Sequence, residues 1–147
     1  MRALLTAAAL FAAATPALAA PDPAFGEWLN EEGLARIAIG PCSGDPALAC
    51  GAVTWLKSGA GVPTRDVHNP DPAQRGRPLL GVLVIRDMKP QGPGRWVGGK
   101  VYQPQTGRTA NGEVKALSRN RLQVKGCILI VCESETFTRA NEGAAGD

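Results

Sequence analysis

The stretch that most constrains the fold is residues 66–85, DVHNPDPAQRGRPLLGVLVI, in which a polar, proline-rich half leads directly into the longest apolar run after the N-terminal segment. The apolar half, residues 79–85, is rich in β-branched side chains, which pack well on a pleated surface. Because this run is short and follows Pro78, it predicts a strand rather than a helix. Both of its faces are apolar, so we expect the strand to be covered on both sides.

The polar half contains two Asx-Pro pairs, Asn69-Pro70 and Asp71-Pro72, in which proline fixes its own φ and restricts the residue before it. Asn and Asp side chains also cap their own turns by accepting hydrogen bonds from nearby backbone amides. The pattern predicts a stiff connection over residues 57–78. Unstructured connections of that length are uncommon in compact domains, and they are usually functional or folded as Ω-loops.

The N-terminus has the features of a secretory signal peptide over residues 1–19. Arg2 supplies the positive charge, residues 3–14 supply the apolar segment, and an A-x-A cleavage site ends at Ala19. A membrane anchor is the alternative, but this apolar segment is too short to cross about 30 Å of hydrocarbon. Residues 20–147 therefore predict a single exported domain, periplasmic or secreted, that is not an integral membrane protein.

The charge pattern argues against a nucleic-acid partner. The formal net charge is only +3, and the Lys and Arg residues are scattered singly instead of forming a basic stripe. The chain has 18 glycines and 12 prolines and lacks stretches with helical periodicity, so the composition predicts an all-β fold.

Four cysteines in an exported chain predict two disulfides. Three pairings are possible, and the spacing favours Cys42–Cys50 and Cys127–Cys132, because residues opposed on antiparallel strands lie within disulfide reach. A metal site is the alternative. We predict none, since CxxC spacing is absent and the only histidine, His68, is distant in the sequence.

Alternating apolar segments and turn signals predict about eight short antiparallel strands, with a turn at residues 89–94. Strands of this kind form either a sandwich or a closed barrel, and an eight-stranded barrel is filled by side chains or holds one small ligand. The predicted strands are residues 25–29, 34–39, 51–56, 79–85, 95–102, 109–117, 121–127 and 133–139.

Short motifs follow one another along nearly all of the chain, from residue 25 to residue 139. They are Gly26-x-Trp28, Ile39-x-x-Cys42, Cys50-Gly51, Asp66-x-x-Asn69-Pro70-Asp71, Gly81, Trp96-x-x-Gly99-Lys100-Val101-Tyr102-x-Pro104, Leu122-x-Val124-x-Gly126 and Thr136-Phe137-Thr138-Arg139. In these motifs the chain resembles the bacterial exported family called domain of unknown function 2147. The resemblance implies a lipocalin-like (calycin) barrel in the cell envelope and no particular activity. The chain departs from the family pattern at Gln103, Ala110 and Phe137, where an acidic residue, an aromatic residue and a tryptophan are usual.

Polar side chains are concentrated at Asp66, His68, Asn69 and Asp71. A calcium loop would need more carboxylates, and a zinc site would need a further histidine or thiolate. We therefore interpret these side chains as turn caps and predict no metal and no cofactor. Asp66 with His68 could belong to a catalytic triad, but no nucleophile motif accompanies them, so no catalytic residue is assigned.

Aromatic residues on separate predicted strands could line a ligand pocket or fill the core. The ligand-binding candidates are Trp28, Trp55, Asp66, Asn69, Asp71, Trp96, Lys100 and Tyr102. One face of the sixth strand carries only small residues, from Ala110 to Ala116, whereas the tryptophans occupy space elsewhere. This contrast predicts a narrow cavity at one end of the barrel, too short for an extended fatty acid.

Residues 128–131, Ile-Leu-Ile-Val, place four aliphatic side chains at a predicted hairpin tip, where polar residues are usual. Two interpretations are open. Either the tip folds over the end of the barrel as a plug, or it is exposed and meets a partner. We expect the plug.

Together these features predict an exported, non-catalytic binding protein of the bacterial envelope. It would bind a protein partner or a small apolar ligand through the 57–78 loop, the barrel mouth or the 128–131 tip. The first alternative is a carrier that holds a small hydrophobic ligand in the barrel interior. The second is an enzyme centred on Asp66 and His68. An exposed tip would favour the interaction protein, and an unfilled interior would favour the carrier.

Overall fold

The structure is a computed structural model, and it describes residues 13–140, so most of the expected signal segment (residues 1–12 of 1–19) lies outside the described residues. Eight antiparallel strands form a closed barrel in which each strand pairs with its sequence neighbours and the first pairs with the last. The predicted all-β barrel is confirmed. The strands are β1 (Gly26–Leu29), β2 (Ala35–Pro41), β3 (Ala49–Leu56), β4 (Leu83–Gly92), β5 (Arg95–Gln103), β6 (Arg108–Ser118), β7 (Arg121–Ile128) and β8 (Val131–Arg139).

The fourth strand begins later than the sequence suggests. Residues 79–82 form a turn instead of a strand, with Gly81 at a φ of 87°, and β4 runs from Leu83 to Gly92. Leu83 is 45% exposed, so the expectation that both faces are covered is wrong at this residue. The apolar residues before it are used differently, because Leu79 and Val82 are buried where the turn meets β3.

The prediction of a turn over residues 89–94 is also wrong for most of these residues. Strand β4 continues through Pro90 to Gly92 and pairs with β5, and only a tight turn at the end reverses the chain. Proline is tolerated here because the register shifts between Pro90 and Gly92, where the regular ladder of hydrogen bonds is interrupted.

One end of the barrel is closed by the segment that precedes β1. The indole of Trp28 is fully buried and donates to the carbonyl of Ala24 at 2.9 Å. The guanidinium of Arg139 lies 4.1 Å from the centre of the Trp28 ring and donates to the carbonyls of Phe25 and Pro23. The seam between β1 and β8 is therefore sealed by a stacked Trp–Arg pair.

A cluster of buried apolar side chains packs the interior of the barrel. The buried apolar cluster includes two isoleucines of β2 and Phe137 of β8, and Met88 of β4 fills the space left by two glycines. A Cβ added at Gly99 or Gly112 would collide with Met88, so the glycines and the methionine form one packed layer. Within the part of the chain that the structure describes, no helix is long and apolar enough to span a membrane.

The opposite end, here called the open end, carries the β1–β2, β3–β4, β5–β6 and β7–β8 connections. The 128–131 tip is at this end and is exposed, with Leu129 at 92% and Ile130 at 96%. The expected plug is therefore wrong. Strands β7 and β8 stay paired up to Ile128 opposite Val131, so a two-residue turn ends a straight hairpin that cannot fold back over the barrel.

Both predicted disulfides are confirmed. Cys42 and Cys50 join the ends of β2 and β3 with a Cα–Cα distance of 4.9 Å. Cys127 and Cys132 face each other across the β7–β8 hairpin with a Cα–Cα distance of 4.0 Å. The second bridge therefore lies directly beneath the exposed tip.

Candidate ligand-binding site

The connection between β3 and β4 folds into a compact unit instead of a flexible loop. Its two limbs pair at Arg65 and Pro78, and the amide of Asp66 donates to the carbonyl of Arg77 at 3.1 Å. A short 3₁₀-helix, Pro72–Gln74, turns the chain between the limbs, and the Asp71 carboxylate caps it by accepting from the amide of Ala73 at 3.0 Å. The loop carries its own hydrogen bonds, as an Ω-loop does.

Asp66 is the centre of this connection. Its side chain is fully buried, and both carboxylate oxygens accept hydrogen bonds. The Tyr102 hydroxyl donates to one oxygen at 2.6 Å. The Asn69 amide donates to the other at 2.8 Å, as do two nitrogens of Arg77 at 2.9 and 2.8 Å. A buried carboxylate requires this degree of compensation. These four residues (Asp66, Asn69, Arg77 and Tyr102) are called the polar cluster below.

The environment of the polar cluster fixes the protonation of its members. Burial raises the pKa of the Asp66 carboxyl, but the hydrogen bonds from Tyr102, Asn69 and Arg77 outweigh burial, so this pKa lies below its ordinary value of 3.8. Burial, together with the hydrogen bond to Asp66 and the charge of that carboxylate, raises the pKa of Tyr102 to about 12. Near neutral pH the carboxylate is ionised and the phenol keeps its proton.

Tyr102 connects this unit to the outside of the barrel wall. Its neighbour Val101 pairs with Ile85 and points inward, since a Cβ added at Gly112 on the interior face would meet the Val101 side chain. Tyr102 must point outward by strand alternation, yet it is only 7% exposed. The long connection therefore buries Tyr102 by lying against the outer face of β5.

The β5–β6 turn supports the same arrangement. Gly107 has a φ of 70° and lies directly against the backbone carbonyl of His68, where a Cβ would have no room. Glycine is required here for its left-handed conformation and for this close approach. The connection is held at two points, by the hydroxyl of Tyr102 and by the backbone at Gly107.

A pocket of about 640 Å³ opens between this connection and the outer face of β4, β5 and β6. We call it the outer pocket. Two guanidinium groups, from Arg77 and Arg86, contribute to its lining, and none of its lining residues is acidic. Its other walls mix polar and apolar groups. The full lining is Asn69, Pro70, Arg77, Pro78, Leu80, Gly81, Val82, Leu83, Arg86, Tyr102 and Thr109.

The predicted ligand-binding residues divide into two groups. Asn69 and Tyr102 line the outer pocket, Asp66 lies beneath it, and Lys100 is opposite Arg86 in the β4–β5 register, where its ammonium group contacts Asn111 at 2.6 Å. Asp71 acts as the helix cap described above.

The tryptophans lie apart from this pocket. Trp28 and Trp96 belong to the closed end, where the Trp96 indole donates to Asp22. Trp55 lies under the guanidinium of Arg36 at 4.9 Å. Sequence reasoning missed Arg77 and Arg86. Arg86 was considered only as the polar residue that ends the apolar run, and Arg77 was not considered. Arg77 could have been found by reasoning that a carboxylate in a stiff loop needs a partner of opposite charge.

The structure does not join His68 to Asp66. His68 is exposed, and among residues 13–140 no hydrogen bond or ion pair joins it to Asp66. A second pocket, of about 520 Å³, lies outside β2 and β3 next to the Cys42–Cys50 bridge. There the two sulfurs and the Asp87 carboxylate lie within 4.8 Å of one another, but the sulfurs are bonded to each other and are not thiolate ligands.

Comparisons with known proteins identify relatives in fold and family. The sequence matches, over residues 26–139, the family described as "Uncharacterized protein conserved in bacteria (DUF2147)". No curated protein matches it. Among solved structures it is similar to protein HP1028 of Helicobacter pylori, which is described as belonging to the lipocalin family. The two are 20% identical with a TM-score of 0.68, and the similarity covers 81% of this chain and 84% of that one. This likeness shows a shared lipocalin-like barrel.

Proposed function

The chain belongs to the bacterial family DUF2147, and we propose that it is an exported, non-catalytic binding protein whose outer pocket holds a small anion with an apolar part. The observation that carries this proposal is the pocket beside the polar cluster, where two guanidinium groups line the wall and no carboxylate does. Its volume of about 640 Å³ falls within the range usual for small-ligand sites.

The charge of the pocket comes mainly from Arg86. Arg77 is already paired with the buried Asp66 carboxylate, whereas Arg86 makes no ion pair with any residue between 13 and 140. A planar guanidinium binds carboxylate or phosphate oxygens with two parallel hydrogen bonds. Arg86 would therefore bind the anionic group of the ligand, and Arg77 would add a second, partly neutralised donor.

The apolar part of the ligand would lie against the leucines of the pocket. Leu80 is 55% exposed and Leu83 is 45% exposed, and both line the same pocket as Arg86. Covering them would remove apolar surface from water, which is the general source of affinity in such sites. This pairing favours an anion with a short hydrocarbon part over a bare inorganic ion.

The polar cluster supports a binding role over a catalytic one. A general acid or base works best when its pKa lies near the working pH. The pKa of Asp66 lies below its ordinary value and that of Tyr102 is raised to about 12, so both are moved away from neutrality. Asp66 and Tyr102 would hold the pocket in shape, and neither is assigned as a reacting group. The packed interior supports the outer pocket as the site more than it supports an interior carrier site.

Export is part of the same proposal and has its own test. Two disulfides fit an oxidising compartment. N-terminal sequencing of protein recovered from its native cell envelope should begin at Ala20. A retained Met1 would refute cleavage at the predicted site.

The ligand class is tested by calorimetric titration of the purified chain with hexyl phosphate, hexanoate and hexylammonium. We expect one-to-one binding of the two anions and none of the cation, with Arg86→Ala weakening anion binding by about tenfold. Arg121→Ala, which removes an exposed arginine from β7 at the closed end, is the matched control and should leave binding unchanged. Equal binding of the cation, or equal effects of the two arginine variants, would refute the proposal.

A further inference from the structure

The 128–131 tip is an apolar surface presented on a rigid support. Its four side chains are 45%, 92%, 96% and 66% exposed in chain order. The Cys127–Cys132 bridge spans the strands directly below it, and β7 and β8 pair without a register shift. A surface held this firmly loses little conformational entropy when a partner covers it.

The backbone of the tip is unfavourable for the residues it carries. Leu129 has a φ of 55°, one of two positive values at non-glycine residues among those described. Two-residue hairpin turns of this kind favour glycine or asparagine, and a bulky side chain in the left-handed region costs about 1–2 kcal/mol. The sequence thus places aliphatic residues where both solvation and backbone geometry oppose them. Local departures of this type occur at functional sites.

Carboxylates lie below the tip on the side of the barrel mouth. Glu133 and Glu135 share the face of β8 that points inward at Phe137, because the β7–β8 register is unbroken. The β1–β2 turn brings Glu31 and Glu32 to Glu135, whose pKa is raised by burial and by these two neighbouring charges. These four carboxylates form an acidic rim below the apolar tip.

Positive charge near the tip is limited. On the β7 side, the Lys125 ammonium group is paired with the carboxylate of Glu113, directly opposite it on β6, at 2.9 Å. Arg108 begins β6, the strand next to β7, so a positive charge lies beside the tip on the side away from the β1–β2 turn. The mouth side carries four carboxylates against one lysine, Lys57, whose backbone amide donates to Leu34 beside the β1–β2 turn, so its balance of charge is negative.

We propose that the tip and its acidic rim form a docking surface for a basic amphipathic segment of another protein. The apolar side chains of such a segment would cover the tip, and its Lys or Arg residues would meet Glu31, Glu32, Glu133 and Glu135. Charge decides between this partner and a lipid surface. Anionic membranes attract basic rims, so an acidic rim opposes membrane docking and favours a cationic protein. This surface is separate from the outer pocket, and neither proposal depends on the other.

The probe for this proposal is a fluorescein-labelled amphipathic peptide of leucine and lysine, with a leucine–glutamate peptide of equal length as its charge-reversed counterpart. Fluorescence anisotropy should show saturable binding of the lysine peptide and none of the glutamate peptide, with affinity falling as salt rises. Vesicles containing anionic lipid are the third probe, and we expect no co-sedimentation.

Two double variants separate the contribution of the tip to peptide binding from that of the rim. Leu129→Gly with Ile130→Asn supplies residues suited to the turn, so the fold is kept while the apolar surface is lost. Glu31→Gln with Glu32→Gln removes charge from exposed positions only. Each double variant should weaken peptide binding by about tenfold. Leu117→Asn, at a half-exposed leucine of β6 near the closed end, is the matched control and should leave binding unchanged.

Three results would overturn the proposal. These are unchanged peptide binding by the Leu129→Gly/Ile130→Asn protein, equal binding of the leucine–glutamate peptide, and capture of the chain by anionic vesicles that depends on the tip. The last result would identify the surface as membrane-binding.

Discussion

Two segments at the open end of the barrel reverse the usual distribution of polarity in opposite ways. The connection between β3 and β4 buries a carboxylate completely, and the β7–β8 hairpin exposes Leu129 and Ile130 almost completely. The first segment is polar where an interior is normally apolar, and the second is apolar where a turn is normally polar. Both are held rigidly, one by hydrogen bonds and the other by a disulfide.

The two segments differ in whether contacts within the chain compensate for the unusual placement of their side chains. Asp66 is satisfied within the chain by Tyr102, Asn69 and Arg77, so its burial is part of the stability of the monomer. Nothing described in the chain covers the side chains of Leu129 and Ile130. The first reversal is compensated by contacts among residues 13–140, whereas the second is not compensated by any of those residues. Removing the two features should therefore change stability in opposite directions.

The largest expected effect is that of Asp66→Ala. It leaves the Tyr102 hydroxyl and the Asn69 amide without their acceptor in a buried site, and it should lower the free energy of unfolding by about 3 kcal/mol. Urea denaturation followed by far-UV circular dichroism measures this change. Asp71→Ala, which removes only an exposed cap, is the control and should cost about 1 kcal/mol. Equal losses from the two substitutions would refute the central role of Asp66.

Tyr102→Phe should cost about 2 kcal/mol, because it removes one hydrogen bond to an ionised carboxylate and keeps the ring. Tyr102 is the only tyrosine of the chain, so alkaline titration of tyrosinate absorbance reports on it alone. Its midpoint should lie near 12 instead of 10. Because this pKa is raised in the folded state, the stability it contributes is present below pH 10 and is lost as pH rises through about 12. A midpoint at the ordinary value would show that the contact with Asp66 is absent in solution.

Leu129→Gly should change the free energy of unfolding in the opposite direction and by a smaller amount. It relieves the positive φ at the tip and should raise the free energy of unfolding by about 1 kcal/mol. Ile130→Ala is the control, since it reduces exposed apolar surface without changing a positive φ, and it should leave stability unchanged. Thermal unfolding compares the two. Destabilisation by Leu129→Gly would mean that the tip side chain is covered within the folded chain.

The smallest expected effect is a change in how stability depends on pH below neutrality. Burial and the carboxylates of Glu32 and Glu31 raise the pKa of Glu135, so its ionised form opposes folding, and stability rises as pH falls through that pKa. The pKa of Asp66 is lowered, so its contribution is present above pH 3.8 and is lost as pH falls further. Glu135→Gln should therefore be slightly more stable than the parent chain at pH 7 and equal to it near pH 4. Denaturation midpoints over this range test the sign, and a loss of stability at pH 7 would contradict it.

Local chemistry explains which features the sequence could predict. The disulfide pairing followed from the spacing of Cys42–Cys50 and Cys127–Cys132, and the cap at Asp71 followed from its Asx-Pro context. These depend on neighbours in the sequence. The start of β4 and the exposure of the tip were predicted wrongly, because both depend on the register in which neighbouring strands pair, which the residue pattern does not specify. The apolar run before Leu83 looked like a strand although it packs as a turn against β3.

The outer pocket is a second feature that the sequence could not predict in full. Asn69 and Tyr102 were selected as candidates, yet the sequence placed them with tryptophans that lie at the other end of the barrel. A bulge at Gly98 changes which residues of β5 point inward, so that Trp96 and Val101 share the interior and Tyr102 is outside. A one-residue shift of this kind reverses every later position on the strand.

The seam at Trp28 and Arg139 also leads to an expectation about the order in which the chain folds. Each of the other seven pairings joins strands that are adjacent in sequence, whereas this one joins residues 28 and 139. Pairing across so long a separation is slow, because the entropy of closing the loop is lost before the contacts form. Until β8 arrives, β1 presents an unpaired edge to any other unfolded chain nearby. We therefore expect closure at the stacked arginine to be the last event of folding, and its rate to set how long the chain is exposed to aggregation.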